Sequence, residues 1–242
     1  MYRVMIISAD KKYSKLYSVG CSYTTGYNQG ELAQWSKYLS DKLNCEHTII
    51  DGINASSNNY IYNKLINFCE NQKERDFCVA IQWSEFSRRE IYIQEINDYI
   101  AFNLNGLIIN DEFNHDEFYF LKKHFEKMDK MFFNIDDMVW RTVNAMISTI
   151  SYLRENNIDF IMFQGINSIL DFDNTNNKNF PLSDDIKENI LNQPEFFNKY
   201  GDMHTHMRTH KLFNEDNDGH PNSKYIEWWS NEMYDYILQQ NV

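Results

Sequence analysis

The chain has 242 residues, of which 43% are hydrophobic and 16% aromatic, enough for one large domain with a substantial core. This composition excludes global disorder, and the formal net charge of −12 argues against binding to nucleic acid, which requires a basic surface. With only 8 Gly and 3 Pro, collagen-like and proline-rich segments are also excluded.

The alternation of apolar runs with helical patterns indicates an α/β protein. In chain order, short apolar runs predict buried strands at Leu16–Val19, His47–Ile50, Phe77–Ile81 and Phe160–Phe163. Between and after them, 3.6-residue patterns predict helices at Glu31–Leu43, Asn59–Glu70, Asp136–Glu155 and Ser223–Leu238. Such alternation predicts one domain over residues 1–242, a three-layer α/β/α sandwich with a mainly parallel, flavodoxin-like sheet. Residues 1–7 could add an edge strand.

Two insertions interrupt this alternation, at about residues 87–134 and 167–217. The first carries helical patterns near Glu90–Phe102 and Asp116–Lys130, and the second is polar and rich in Asn and Asp. Both follow predicted strand ends, which all meet at one edge of a parallel sheet. A substrate-covering role and a simple insertion are both compatible with these patterns.

The cysteines and the N-terminus indicate an intracellular setting. None of the four cysteines forms a Cys-x-x-Cys pair, which favours reduced, packed thiols over disulfides or a zinc cluster. Residues 1–8 are too short and too soon followed by charges for a signal peptide, and no run is long enough to span a membrane. We therefore expect a cytoplasmic protein without a membrane partner.

The first strand pattern ends in a turn that places a serine at the edge of the predicted sheet. Gly20-Cys21-Ser22 follows that strand and precedes a helix. In open α/β sheets this edge carries binding and catalytic sites. There a hydroxyl can be exposed while backbone N–H groups point at whatever binds.

Three more segments lie after predicted strands or before the last helix. They are residues 51–59, residues 81–84 and residues 216–223. With Gly20-Cys21-Ser22 they resemble, in chain order, the four sequence blocks of the SGNH (GDSL-like) hydrolase family. The resemblance implies that Ser22 is the nucleophile, although Cys21 replaces the family's usual Asp.

The two middle blocks correspond to oxyanion-binding groups in that family. The resemblance implies that the backbone N–H of Gly52 is a donor beside that of Ser22, with Ala55 or Ser56 as alternative alignments. Ser84 stands where the family has a side-chain donor Asn, and Asn58 could substitute for it. An equally plausible interpretation of residues 51–59 is a turn in which Ser57 or Asn58 caps the next helix.

The last block supplies the base. His220 matches the family's histidine, which removes the proton from the serine hydroxyl. The residue three positions earlier is Asn217, so Asp218 or Asp216 must orient the ring, and we favour Asp218. Trp83-Ser84 followed by Arg88 resembles a bacterial and phage subgroup, and we expect Trp83 and Arg88 to contact substrate. Arg88 and Arg89 could hold an anionic group of that substrate, and the alternative interpretation is that both arginines are exposed and solvated.

These residues predict a serine esterase. The family implies an acetyl or other small acyl ester, such as one on a carbohydrate, as the substrate and partner, and it implies no metal and no organic cofactor. One alternative is a catalytically reduced module of this family that binds a ligand or protein. A second is a metal-dependent phosphoesterase built on His204, His206 and His210, with Asp202 nearby, if His-x-His lies on a strand.

Overall fold

The computed structural model describes residues 4–26, 34–94, 98–103, 106–108, 135–166, 184–213 and 219–241. The strands are β1 (Lys15–Gly20), β2 (His47–Gly52), β3 (Phe77–Trp83), β4 (Arg89–Ile93), β5 (Asp98–Asn103), β6 (Gly106–Ile108) and β7 (Asp159–Gln164). The helices are α1 (Ser22–Thr25), α2 (Trp35–Lys42), α3 (Asn58–Asn71), α4 (Ile135–Glu155), α5 (Asp184–Leu191), α6 (Met203–His210) and α7 (Ser223–Gln240).

The predicted parallel sheet is confirmed. Its strands have the order β2-β1-β3-β7, and every neighbouring pair is parallel. The carboxyl ends of all four strands therefore lie at one edge. The segments at the ends of β1, β2 and β3 carry the predicted nucleophile and the predicted oxyanion residues, so the fold gathers these segments at that edge.

Alternate side chains of each strand enter two separate hydrophobic cores. Tyr17 and Val79 pack with α3 and α4 on one face, whereas Leu16 and Ala80 pack with α2 and α7 on the other. A strand buried on both faces must be apolar along its whole length, which explains the short continuous runs in the sequence. The three-layer sandwich is thereby confirmed.

The helical pattern predicted near Glu90–Phe102 is wrong. This region forms antiparallel strands, with β4 pairing with β5 and β5 with β6. Local strand pairing overrides a weak helical periodicity in a segment rich in tyrosine and isoleucine, which favour strands. The Asp116–Lys130 pattern lies outside the described residues.

The far edge of the main sheet is extended by two short segments. Ile6 forms a parallel bridge with Phe160, and Phe196 forms one with Met162. A buried carboxylate joins these segments, because Glu195 accepts the Met5 N–H at 2.9 Å and pairs with Arg154 at 2.6 Å. The predicted edge strand is thus reduced to a single bridge in the described part of the N-terminus.

Candidate functional site

Ser22 lies on a tight turn between β1 and α1. The carbonyl of Cys21 accepts hydrogen bonds from the N–H groups of Thr24 at 2.8 Å and Thr25 at 3.3 Å, which fixes the turn. Ser22 is 7% exposed, and its hydroxyl makes no hydrogen bond to another described residue. At the first position of a helical turn its backbone N–H has no intrahelical acceptor. Both groups are therefore available for a ligand at the sheet edge.

Gln82 supports this turn from β3. Its Oε1 accepts a short hydrogen bond from the Thr24 hydroxyl, and its Nε2 donates to Cys21 Sγ at 3.4 Å. Gly20 leaves the room for this side chain, because a Cβ at Gly20 would lie 2.8 Å from Gln82 Cβ. The sequence of β3 does not predict this role of Gln82, because the role depends on contacts with Cys21 and Thr24 in a distant segment.

Gly52 lies beside the serine turn at the end of β2. It is in register with Gly20, and a Cβ on Gly52 would lie 2.6 Å from the Gly20 carbonyl oxygen. This close approach requires glycine. Of the alternative alignments, Ser56 already uses its N–H in a turn to Ile53 O, and its hydroxyl donates to Gly20 O at 2.9 Å.

Asn58 clamps the segment that follows β3. Its Oδ1 accepts the Ser84 N–H at 2.7 Å, and its Nδ2 donates to Ser84 O and to Thr142 Oγ1, both at 3.1 Å. With these bonds made, the amide has no donor left for an oxyanion. The predicted oxyanion role of Asn58 is therefore corrected to a positioning role for Ser84. The helix cap predicted nearby is present at Ser57, which accepts from Tyr60 N.

Ser84 and Trp83 are both fully buried. The Ser84 hydroxyl has no hydrogen-bond partner among the described residues, so its donor remains unused. The Trp83 indole packs in the core on the α3 and α4 side of the sheet and donates to Met162 Sδ at 3.4 Å. The substrate contact predicted for Trp83 is thus replaced by a core-packing role, because the sheet buries its ring.

Replacing Asn58 with leucine tests the clamp. We expect a loss of about 1–3 kcal/mol in the free energy of unfolding, because buried Ser84 groups lose their partner. Urea titration measures this change. Asn63→Leu, at an exposed position on the same helix, should stay within about 0.5 kcal/mol. Equal stability of the two variants would contradict the clamp.

Tyr23 connects the serine turn to the His220 segment. Its hydroxyl donates to Gly219 O at 2.7 Å, and its ring centroid lies 5.3 Å from that of His220, edge to face. Because this single proton is used, the hydroxyl must accept from the Nδ1–H of His204, 2.5 Å away. Tyr23, which follows Ser22, thus holds Gly219, which precedes His220.

The predicted base lies at the same sheet edge as the predicted nucleophile, because the ring of Tyr23, the neighbour of Ser22, packs against the His220 ring. His220 is fixed by its position just before α7, where Asn222 caps the helix by accepting Tyr225 N at 2.9 Å. Asp216, Asn217 and Asp218 lie outside the described residues.

The three histidines of the predicted metal site lie on a helix, not on a strand. In α6, His204 contacts Tyr23, whereas His206 stacks on Trp228 at 4.9 Å. Side chains two positions apart on a helix point in different directions. Within the described ranges, no three metal-ligating side chains are grouped so that they could hold a metal ion. The metal-dependent alternative required His204 and His206 to lie on one face of a strand, and this prediction is wrong.

His204 gives the site a pH-dependent stability. Burial lowers its pKa from 6.5, Asp202 opposes this shift, and Arg208 adds to it. When the pH falls below 6.5, His204 is protonated in the unfolded chain before it is protonated in the folded protein. The unfolded chain then binds more protons, so the folded protein loses stability as the pH falls.

We expect the unfolding temperature to fall between about pH 7 and about pH 5, and to fall less steeply in His204→Gln. Calorimetry over this range measures both slopes. His47→Gln, which alters an exposed ring at the start of β2, should retain the slope of the parent protein. Parallel slopes for the parent protein and His204→Gln would contradict this account.

Solved structures of similar fold give this geometry a context. The esterase EstA from Pseudoalteromonas sp. is 15% identical, with 93% of this chain and 97% of that chain covered, at a TM-score of 0.50. TesA is 10% identical, with 93% and 99% covered, at 0.49. A putative lipolytic protein of the G-D-S-L family from Desulfitobacterium hafniense is 9% identical, with 92% and 99% covered, at 0.42.

The chain has the SGNH (GDSL) hydrolase fold. At these identities the likeness concerns the fold alone. No protein-family model and no curated protein matches the sequence. Among the described residues, no helix is long and apolar enough to cross a membrane.

Proposed function

We propose that the protein is a serine esterase of the SGNH type that cleaves a small carboxylic ester, such as an acetyl ester of a carbohydrate. The observation that carries the proposal is the Tyr23 bridge, which ties the Ser22 turn to the backbone at Gly219 and packs against the His220 ring. The fold likeness to EstA, an esterase inhibited by monoethylphosphonate, supports the same class of chemistry.

In this proposal Ser22 Oγ attacks the ester carbonyl while His220 accepts the serine proton. The tetrahedral intermediate collapses by breaking the carbon–oxygen bond to the alcohol, which leaves with the proton from His220. Water then attacks the acyl-serine, again with His220 as base, and releases the acid and free Ser22. Asp218, or in its place Asp216, orients the ring and stabilises its charged form.

The negative oxygen of the intermediate needs hydrogen-bond donors. We assign this role to the backbone N–H groups of Ser22 and Gly52, with the unused Ser84 hydroxyl as a third donor. Because Ser84 is fully buried, it can contribute only if ligand binding opens a path to it. Losing one well-placed donor costs roughly 10²–10³-fold in rate, so we expect slow turnover.

A binding module is the second candidate function. Its specific support is that Ser84 replaces the family's side-chain amide and that the amide of Asn58 is fully used in hydrogen bonds to Ser84 and Thr142. Neither residue therefore offers a side-chain amide to an oxyanion. Such a module would bind an ester or a protein at the same edge without turning it over.

Replacing His220 with alanine tests the proposed reaction. We expect hydrolysis of 4-nitrophenyl acetate to fall by roughly 10³-fold or more, because the serine hydroxyl loses its base. His210→Ala should retain the parent rate, since this exposed ring lies on the outer part of α6. Equal rates in the His220 variant and the parent protein would refute the esterase, and a folded parent protein without any hydrolysis would favour the binding module.

A further inference from the structure

A cavity of about 610 Å³ opens beside the proposed catalytic edge. Its walls are the first three turns of α3, the start of α4 and the segment from Phe86 to Glu90. The cavity begins next to the serine turn, because Ser57 lines it and the adjacent Ser56 bonds to Gly20 O at 2.9 Å. Its volume is sufficient for a small polar ligand.

The described wall of this cavity carries more positive than negative side chains. Four cationic residues line it: Lys64, Arg88, Arg89 and Arg141. Asp137 pairs with Arg89 at 3.4 Å and with Arg141 at 2.7 Å, so these two guanidinium groups are partly neutralised. Glu90 is the one carboxylate in the described lining, and it accepts short hydrogen bonds from the N–H and the hydroxyl of Ser57.

Arg88 is a largely buried cation of this lining with unused donors in the described part of the chain. Its side chain is 11% exposed, and its Nε lies 3.7 Å from the Glu85 carboxylate, beyond hydrogen-bond distance. Its Nε and Nη1 are buried and have no hydrogen-bond partner among the described residues. Glu85 therefore offsets the charge of Arg88 without accepting its hydrogen bonds, and an oxyanion is the kind of ligand that can accept them.

The charge of Arg88 affects a titratable group in the cavity wall and another beside the serine turn. Burial raises the pKa of Glu90 in the cavity wall, and Arg88 opposes that shift. Burial lowers the pKa of His204 beside Tyr23, and Arg88 adds to that shift. Arg88 is therefore close enough to interact electrostatically with both Glu90 in the cavity wall and His204 beside Tyr23.

One face of α3 contributes a row of amides to the cavity wall. Asn59, Asn63 and Asn67 recur at four-residue spacing and line the cavity together. Each amide can both donate and accept, which suits hydroxyl groups better than apolar or purely cationic ligands. The cavity thus offers one strong site for an oxyanion and a row of groups for hydroxyls.

We propose that this cavity binds the anionic end of a hydroxyl-rich substrate, a polyol that carries a carboxylate or phosphate, with Arg88 as the residue that selects the charge. The proposal deepens the proposed esterase function and rests on it for the identification of this ligand as the substrate. The binding step itself requires no turnover, so it can be measured separately.

The test uses the Ser22→Ala protein and three probes of the same sugar: glucuronate, glucose 6-phosphate and glucose. Ligand-detected NMR titration should show at least one anion binding about tenfold more tightly than glucose, and Arg88→Gln should remove this preference. The preferred anion distinguishes a carboxylate from a phosphate. Arg75→Gln, an exposed arginine outside the cavity lining, should leave the preference intact.

Equal affinity for all three sugars, no binding of either anion, or an unchanged preference in a folded Arg88→Gln protein would overturn the cavity proposal. If the parent protein still hydrolyses 4-nitrophenyl acetate, the esterase stands and only the cavity assignment fails. If an anion binds through Arg88 and no ester is hydrolysed, the cavity assignment stands and the esterase fails.

Discussion

Replacing Ser22 with alanine is expected to reduce ester hydrolysis by about 10⁴-fold or more, because the reaction loses its nucleophile. The stability of the fold should change little, since the Ser22 hydroxyl makes no hydrogen bond to another described residue. Initial rates with 4-nitrophenyl acetate and the thermal unfolding midpoint, measured on the same preparations, separate these two effects.

Ser36→Ala is the matched control for this experiment. Ser36 is also a buried serine whose hydroxyl has no partner among the described residues, but it lies on α2. Its variant should keep the parent rate. A Ser22→Ala protein that hydrolyses the ester as fast as the Ser36→Ala protein would remove Ser22 from the mechanism.

Replacing Gly20 with alanine is expected to damage both the fold and the site. The new methyl group would overlap the Thr24 hydroxyl and would lie 2.8 Å from Gln82 Cβ, an atom that cannot move without its strand. Overpacking of this kind costs about 1–3 kcal/mol in the free energy of unfolding. A shift of the serine turn by about 1 Å would lower activity by roughly 10²-fold.

The double variant Gly20→Ala/Thr24→Ala isolates the cause. Removing the Thr24 hydroxyl relieves one overlap but leaves the contact with Gln82 Cβ, so we expect partial recovery relative to Gly20→Ala. Urea titration of both single variants and the double variant gives the coupling between the two positions. Strictly additive losses would show that the overlap with Thr24 is not the source of the damage.

The sheet and its main helices could be predicted because burial on both faces leaves a continuous apolar pattern. The run at Phe77–Ile81 lies within β3, and the pattern at Asp136–Glu155 lies within α4. The antiparallel strands β4 and β5 were misread as a helix, because their pairing partner and not their periodicity decides their conformation.

The site itself was only partly predictable, because its supporting residues are defined by contacts between distant segments. The short blocks around Ser22 and His220 were visible in the sequence, and the fold brings both blocks to one edge. No motif marks Gln82 or Tyr23, although Gln82 supports the serine turn and Tyr23 joins this turn to Gly219. The resemblance predicts that Asn58 donates to the oxyanion, but its amide nitrogen already donates to Ser84 O and to Thr142 Oγ1.

The histidines of α6 show how the local conformation decides a functional interpretation. His-x-His would place both rings on one side of a strand, but on a helix it separates them. His204 therefore joins the Tyr23 network, and His206 joins an aromatic cluster with Trp228 and Tyr225. The same residues support the fold around the proposed base instead of forming a metal site.

The central claim is that a serine at the end of β1 is activated by a histidine that precedes the last helix. Mass spectrometry after treatment with a fluorophosphonate tests it most directly, because this reagent forms a covalent bond only with an activated serine. We predict one adduct on the peptide that contains Ser22, absent from Ser22→Ala and strongly slowed in His220→Ala. A folded parent protein that stays unmodified, or an adduct whose rate is unchanged in His220→Ala, would contradict the account.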